Sequence, residues 1–174
     1  MSLVSGDMPI QPRRYTACAD TRPGFQIVND IIRLGRCEVS GALIDASRKF
    51  TVPWREDFKE IGLALIHASQ FKKLPSLDEI RDRAHSLGFL TLSNTMALRF
   101  AEKYSLEDLN LEGLIFCCRS VQVPRANRPD KTRPHFIALQ RSEKKDKLFL
   151  VRNGHGADYH YAPDATFAFG VPVL

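Results

Sequence analysis

No run in this chain approaches the roughly 18 consecutive apolar residues of a membrane-spanning helix, so no membrane span is expected. The first residues, MSLVSGDMPIQPRR, lack a basic start followed by an apolar stretch, so no secretory signal peptide is expected either. There is no Cys-x-x-Cys pair to argue for a structural zinc site. Gly-x-Gly-x-x-Gly is absent, and no Gly-Lys-Ser/Thr marks a phosphate loop, which weakens any nucleotide reading. Internal repeats and low-complexity tracts are missing. Four cysteines in 174 residues are too few for a disulfide framework. Cys117 and Cys118 are adjacent and on a strand would face opposite ways, so the cysteines read first as reduced thiols, mostly buried. The one tryptophan, Trp54, reads as a packing aromatic.

What is there is an ordinary globular composition, 44% hydrophobic and 26% charged, in a length that suits one domain. The formal charge of +5 is unevenly spread. Between Arg119 and Lys147 lie nine basic and three acidic residues, which leaves the remainder of the chain close to neutral. A local basic segment of this kind attracts nucleic acid, anionic lipid or an acidic partner, although a solvated loop would look the same.

Residues 1–24 hold Gly6, Pro9, Pro12, Pro23 and Gly24 and read as an irregular arm before a single domain over 25–174. Phe25, Val28, Ile31 and Ile32 have helical spacing and Gly35 is a natural stop. Val39, Leu43, Ala46 and Phe50 suggest a second helix, with a hairpin as the competing reading, and Pro53 ends the element either way. Asp57 to Phe71 reads as a third, with Phe58, Ile61, Leu65 and Ala68 on one face. In residues 75–89, Ser76 and Glu79 form a capping-box pattern and Gly88 a stop. Two short helical pieces follow over 94–104 and 105–110. Beyond Leu111 the chain turns to short apolar segments, GLIFCCRSVQV, PHFIALQRS, DKLFLVRN and ATFAFGVPVL, which read as strands. Between the first two, residues 124–134 form a Pro-rich basic connection. The expected class is α+β, a helical N-terminal two-thirds packed on a C-terminal antiparallel sheet.

One constellation suggests thiol chemistry. A nucleophilic cysteine needs a lowered pKa, a histidine in reach and a third group to orient that histidine. Cys37 follows Gly35 and would open the second helix, His135 opens the strand HFIAL, and the next strand ends at Arg152 and Asn153. An antiparallel hairpin brings the start of one strand to the end of the next, and so His135 to Asn153. Cys18, with Gln11 seven positions before it, is a rival nucleophile. Asp158 is a second candidate to orient the histidine. His67 and His85 fall in expected helices and carry no assigned role. His155, Asp158 and His160 are a weak metal-ligand pattern.

This order of elements resembles the papain-like cysteine hydrolases, including bacterial processing peptidases, cell-wall peptidases and effector proteases or deamidases. CEVSGALIDASRKF is similar to their nucleophile helix, PSLDEIRDRAHSLGF to a helix between the two halves, and RPHFIALQR with KLFLVRNGHG to the strands of the histidine and its orienter. Arg36 and Glu38 beside Cys37 depart from the small or aromatic residues usual there, and Gln26 fits an oxyanion-hole glutamine poorly. The resemblance implies a peptidase or deamidase acting on a protein or peptide amide, with Cys37 or Cys18 as nucleophile, His135 as base and Asn153 as orienter. It implies no cofactor, and a location in the cytoplasm or export as an effector without a classical signal peptide. From a different class, the alternative is a binding module whose basic loop, residues 119–147, docks an acidic protein or nucleic acid. Nucleic acid has less support from the sequence, because residues 124–134 contain no aromatic side chain to stack on bases.

Overall fold

A seven-stranded mixed sheet organises the chain, in the order β1-β3-β7-β4-β5-β6-β2. The computed structural model describes residues 15–18, 21–51, 60–152 and 159–173. The strands are β1 (Thr16–Cys18), β2 (Cys37–Val39), β3 (Glu60–His67), β4 (Gly113–Arg125), β5 (Arg128–Gln140), β6 (Asp146–Arg152) and β7 (Thr166–Pro172). The helices are α1 (Gly24–Arg33), α2 (Gly41–Ser47), α3 (Leu77–Ser86), α4 (Asn94–Lys103) and α5 (Leu106–Leu109).

This corrects the expected fold. The N-terminal two-thirds is not a helical body, because it contributes three strands, one at each edge of the sheet and one inside it. Nor is the sheet antiparallel throughout: β2 pairs with β6, and β4 with β7, in parallel. The largest single error is the helix expected over Asp57–Phe71, of which residues 60–67 are β3, followed by a 3-10 turn at Ala68–Gln70. Residues 52–59, including Trp54 and Phe58, lie outside the described residues. In β3, Ile61, Leu63 and Leu65 meet one core cluster, while Ala64 and Ile66 meet another. A strand covered on both faces is apolar at every position, so it lacks the alternation that marks a half-buried strand.

The two clusters are the two faces of the sheet. On one, Ile27, Val28 and Ile31 of α1, Leu43 of α2 and Met96 and Phe100 of α4 pack on Leu114, Phe116, Ile137, Leu139 and Leu148. On the other, Leu77, Ile80 and Ala84 of α3 pack with Phe136, Phe167 and Phe169. Helices on both faces let β3 and β7 be apolar on both sides.

Local signals explain where the helices begin and end. Ser76 accepts from the Glu79 amide at 3.3 Å and the Glu79 carboxylate accepts from the Ser76 amide at 2.8 Å, so the capping box forms. Ser93 and Ser105 cap α4 and α5 in the same way, each accepting from an amide one turn ahead. Gly35, at φ 64°, ends α1 in a conformation that most side chains resist. At the other end of that helix, a Cβ on Gly24 would stand 2.5 Å from the Phe50 Cβ, so only glycine lets α1 meet the chain leaving α2.

Within the region expected to be an irregular arm, Thr16–Cys18 forms the edge strand β1. It is tied down by the Tyr104 hydroxyl, which accepts from the Thr16 amide at 3.0 Å and donates to the Thr16 carbonyl at 2.9 Å.

Candidate functional site

The expected thiol constellation is spread across the sheet. Cys37 does not open a helix. It is the first residue of β2, buried and abreast of Asp146 in β6. Burial, then the Asp146 carboxylate, push its thiol up to about 11, and Arg36 offsets this only in part. The thiol is therefore protonated at neutral pH.

His135 is abreast of Arg152, at the other end of β6. The six steps along β6 from Asp146 to Arg152, at about 3.3 Å each, set Cys37 and His135 about 20 Å apart. Cys18 is exposed on β1, at the edge of the sheet, four strand spacings from β5, or about 19 Å. The structure brings neither cysteine to His135. Asn153, His155 and Asp158 lie outside the described residues. His135 Nδ1 donates to the carbonyl of Arg133 at 2.9 Å. Cys117 and Cys118 are buried, and burial raises both thiols. Among the described residues, no three His, Cys, Asp or Glu side chains gather as a metal site requires.

What the structure does gather is positive charge. The connection over 124–134 is not a loop. It is the outer half of a β-ribbon formed by β4 and β5, each 13 residues long. Val121 pairs with His135, Gln122 with Pro134, Val123 with Arg133 and Pro124 with Thr132, and Arg125 meets Arg128 across the Ala126–Asn127 turn. Among the described residues no third strand joins beyond His135: β6 reaches Arg152 opposite it, and β4 pairs with β7 only at Ile115 and Phe116. Proline lacks the amide that a central strand would need, so Pro124 and Pro134 suit a ribbon with unpaired outer edges. Two breaks in register shape this arm. Residues 117–120 are looped out of β4, where Leu92 bridges to Cys118, and residues 129–131 are looped out of β5 near the tip.

Antiparallel partners share a face of the sheet. Leu139 and Ile137 of β5 and Leu148 and Leu150 of β6 lie on the face packed by α1, α2 and α4. Two-residue steps carry that face outward to His135, Arg133 and Arg152. There the apolar row becomes a basic one. Arg152, opposite His135, is the diagonal neighbour of Arg133, about 7–8 Å away between backbones. Charge repulsion from Arg125 and then Arg152 lowers the pKa of Arg133. Arg125, Arg128, Arg133 and His135 line a cavity of about 450 Å³ with Val123 and Asn127. Among the described residues, Arg125, Arg128, Lys131, Arg133 and Arg152 form no ion pair, and the ribbon's one acid, Asp130, forms none either.

Arg152 is the member of this cluster that the sequence reading does not pick out as a site residue. It lies outside the basic segment as counted, but the hairpin argument that set His135 beside the end of the next strand could have found it. Neither a protein-family model, nor a curated protein, nor a solved structure matches this chain.

Proposed function

We propose that this protein is a nucleic-acid-binding module that lays its basic β4–β5 ribbon against the phosphate backbone of a duplex. One observation carries the reading: a ribbon that, among the described residues, has two strands only and bears Arg119, Arg125, Arg128, Lys131 and Arg133 with no carboxylate paired to them. Cations held unpaired on a rigid arm gain most from a partner that is itself a line of negative charge. Four of the five are arginines, whose planar forks match phosphate oxygens in pairs. A two-stranded ribbon also has the cross-section that the major groove admits. The absence of an aromatic residue from 119 to 134 favours a duplex over unpaired bases, which are held by stacking.

The thiol-hydrolase reading requires a cysteine within hydrogen-bond reach of His135, and Cys18 and Cys37 are both about 20 Å from it by strand geometry. An acidic protein is the competing partner for the ribbon. Fluorescence anisotropy with a labelled duplex, the matching single strand and polyglutamate separates the cases. The reading expects the duplex to bind tightest and its affinity to fall steeply with salt. Tighter binding of polyglutamate, or no binding of the duplex at low salt, overturns it.

A further inference from the structure

We infer that the foot of the ribbon is a defined phosphate-binding subsite, formed by Arg133 and Arg125 in the cavity that His135 also lines, with Arg152 as the cross-strand neighbour of Arg133. This deepens the nucleic-acid reading and rests on it: the group seated there would be one backbone phosphodiester, and the rest of the ribbon would track its neighbours.

The position is different in kind from the exposed cations at the tip. Arg128 and Lys131 at the tip are exposed, as are Arg125 and Arg152 at the rim of the subsite, whereas Arg133 and His135 at its centre are partly buried. The Nε of Arg133 is sealed from solvent and has no hydrogen-bond acceptor. A buried donor without an acceptor is unfavourable, and two like charges beside it add to that. Among the described residues no carboxylate pairs with Arg133 to relieve it. The backbone that carries the Arg133 guanidinium is also held in place. Its strand is paired through Val123, the next residue but one is abreast of Arg152, and its carbonyl is taken by His135 Nδ1 at 2.9 Å. A tetrahedral oxyanion in the cavity would accept from the forks of Arg133 and Arg125 and turn the repulsion between them into shared attraction. Because the cluster sits where the apolar face of the sheet ends, one wall of the cavity is Val123 and Pro124. Low-dielectric walls strengthen such contacts relative to those at an open surface.

The test pairs a small probe with a large one. The arginine Nε–Hε signals are followed by NMR while inorganic phosphate is added at constant ionic strength. Duplex affinity is then measured for Arg133→Lys and Arg152→Lys, which keep the charge count and lose the fork. The expected result is a saturable shift of the Arg133 signal, larger than that of Arg141, which is already paired to Glu112 at 2.8 Å. Each lysine variant should weaken phosphate and duplex binding about tenfold while leaving the salt slope nearly unchanged.

If Arg133→Lys and Arg152→Lys both bind the duplex like the parent, the subsite is wrong while the ribbon reading stands. If the duplex does not bind but phosphate still saturates the Arg133 signal, the ribbon reading fails and the site takes a free phosphate ester. If every arginine signal drifts in proportion to added phosphate, there is only an ion atmosphere and the subsite is overturned. An unchanged amide spectrum in each variant guards against a folding defect.

Discussion

Arg22 and Arg99 are set among carboxylates, whereas Arg125, Arg133 and Arg152 are set among one another. At the first corner, Arg22 reaches Asp30 at 2.5 Å and both oxygens of Glu102 at 2.9 Å, Arg99 pairs with the same Glu102, and Arg33 adds a contact to Asp30 at 3.3 Å. The segment leading into α1 is thereby tied to α4, with Glu102 buried at 9% exposure. At the second corner the same residue type has no acid beside it among the described residues. The difference teaches that arginine content alone says little. Where carboxylates converge, arginine joins segments of chain. Where they are missing, on a ribbon that packs nothing at its outer end, it is free to meet something else. The first corner belongs to stability and the second to recognition, and substitutions should separate the two.

The largest effect is expected on binding. Replacing Arg125, Arg128 and Arg133 together by glutamate should abolish duplex binding in an anisotropy titration, a loss of about a hundredfold or more at moderate salt. Its urea midpoint should stay where it is or rise, because repulsion from the remaining Arg152 and Lys131 becomes attraction. A fall in the midpoint comparable to that of a core variant would break the comparison. Next comes Glu102→Ala, which removes the acid shared by Arg22 and Arg99. It should lower stability by about 3 kcal/mol in urea denaturation and leave duplex binding intact once corrected for the folded fraction. Gly24→Ala, at the same corner, should cost about 1–3 kcal/mol, since its Cβ meets the Phe50 side chain and the Ser47 carbonyl.

A smaller effect is expected from acid. Arg22, above all, holds the Asp30 carboxyl below its ordinary 3.8, and the Ser76 amide holds Glu79 below 4.5. The folded state then binds fewer protons than the unfolded one, so unfolding takes up protons and stability falls as pH falls. These contributions are complete above the unfolded values and are lost on descent below about 4.5, through the still lower folded values. Asp30→Asn should flatten that part of the pH–stability curve, while Arg133→Gln should leave its shape unchanged. The smallest effect concerns the thiols. Iodoacetamide at neutral pH should label exposed Cys18 first and reach Cys37, with its thiol near 11, only on unfolding.

Much of this architecture was legible where local chemistry decides it. Ser76 with Glu79 announced α3, Gly35 and Gly88 closed the helices before them, and the four apolar segments after Leu111 all became strands. Three features were not. Strands β1 and β2 have three residues each, too few for any periodicity, and are set by their partners β3 and β6. β3 was hidden because apolar residues on both faces fit a helical stripe as well as a doubly covered strand. The central position of β7, last in the chain yet between β3 and β4, is a product of the whole sheet. At the candidate site, the charge was visible in the sequence but its form was not. Prolines and arginines over 124–134 suggested a loop, while free outer edges let those same residues form a ribbon. Cys37 was placed at a helix start because β2 was unseen, and Arg152 was passed over because only its pairing with His135 brings it to the cluster.

The central claim, that the ribbon's unpaired cations meet a line of phosphates, is tested most directly by the salt dependence of duplex binding. The logarithm of the association constant, plotted against the logarithm of salt concentration, has a slope of about −0.9 per phosphate neutralised. For the parent protein the slope should be steep, about −4 to −5 if each of the ribbon's five cations meets a phosphate. In the variant with Arg125, Arg128 and Lys131 changed to glutamine it should become shallower by about 3. A slope near zero in the parent, or one that the three substitutions leave unchanged, would contradict the account.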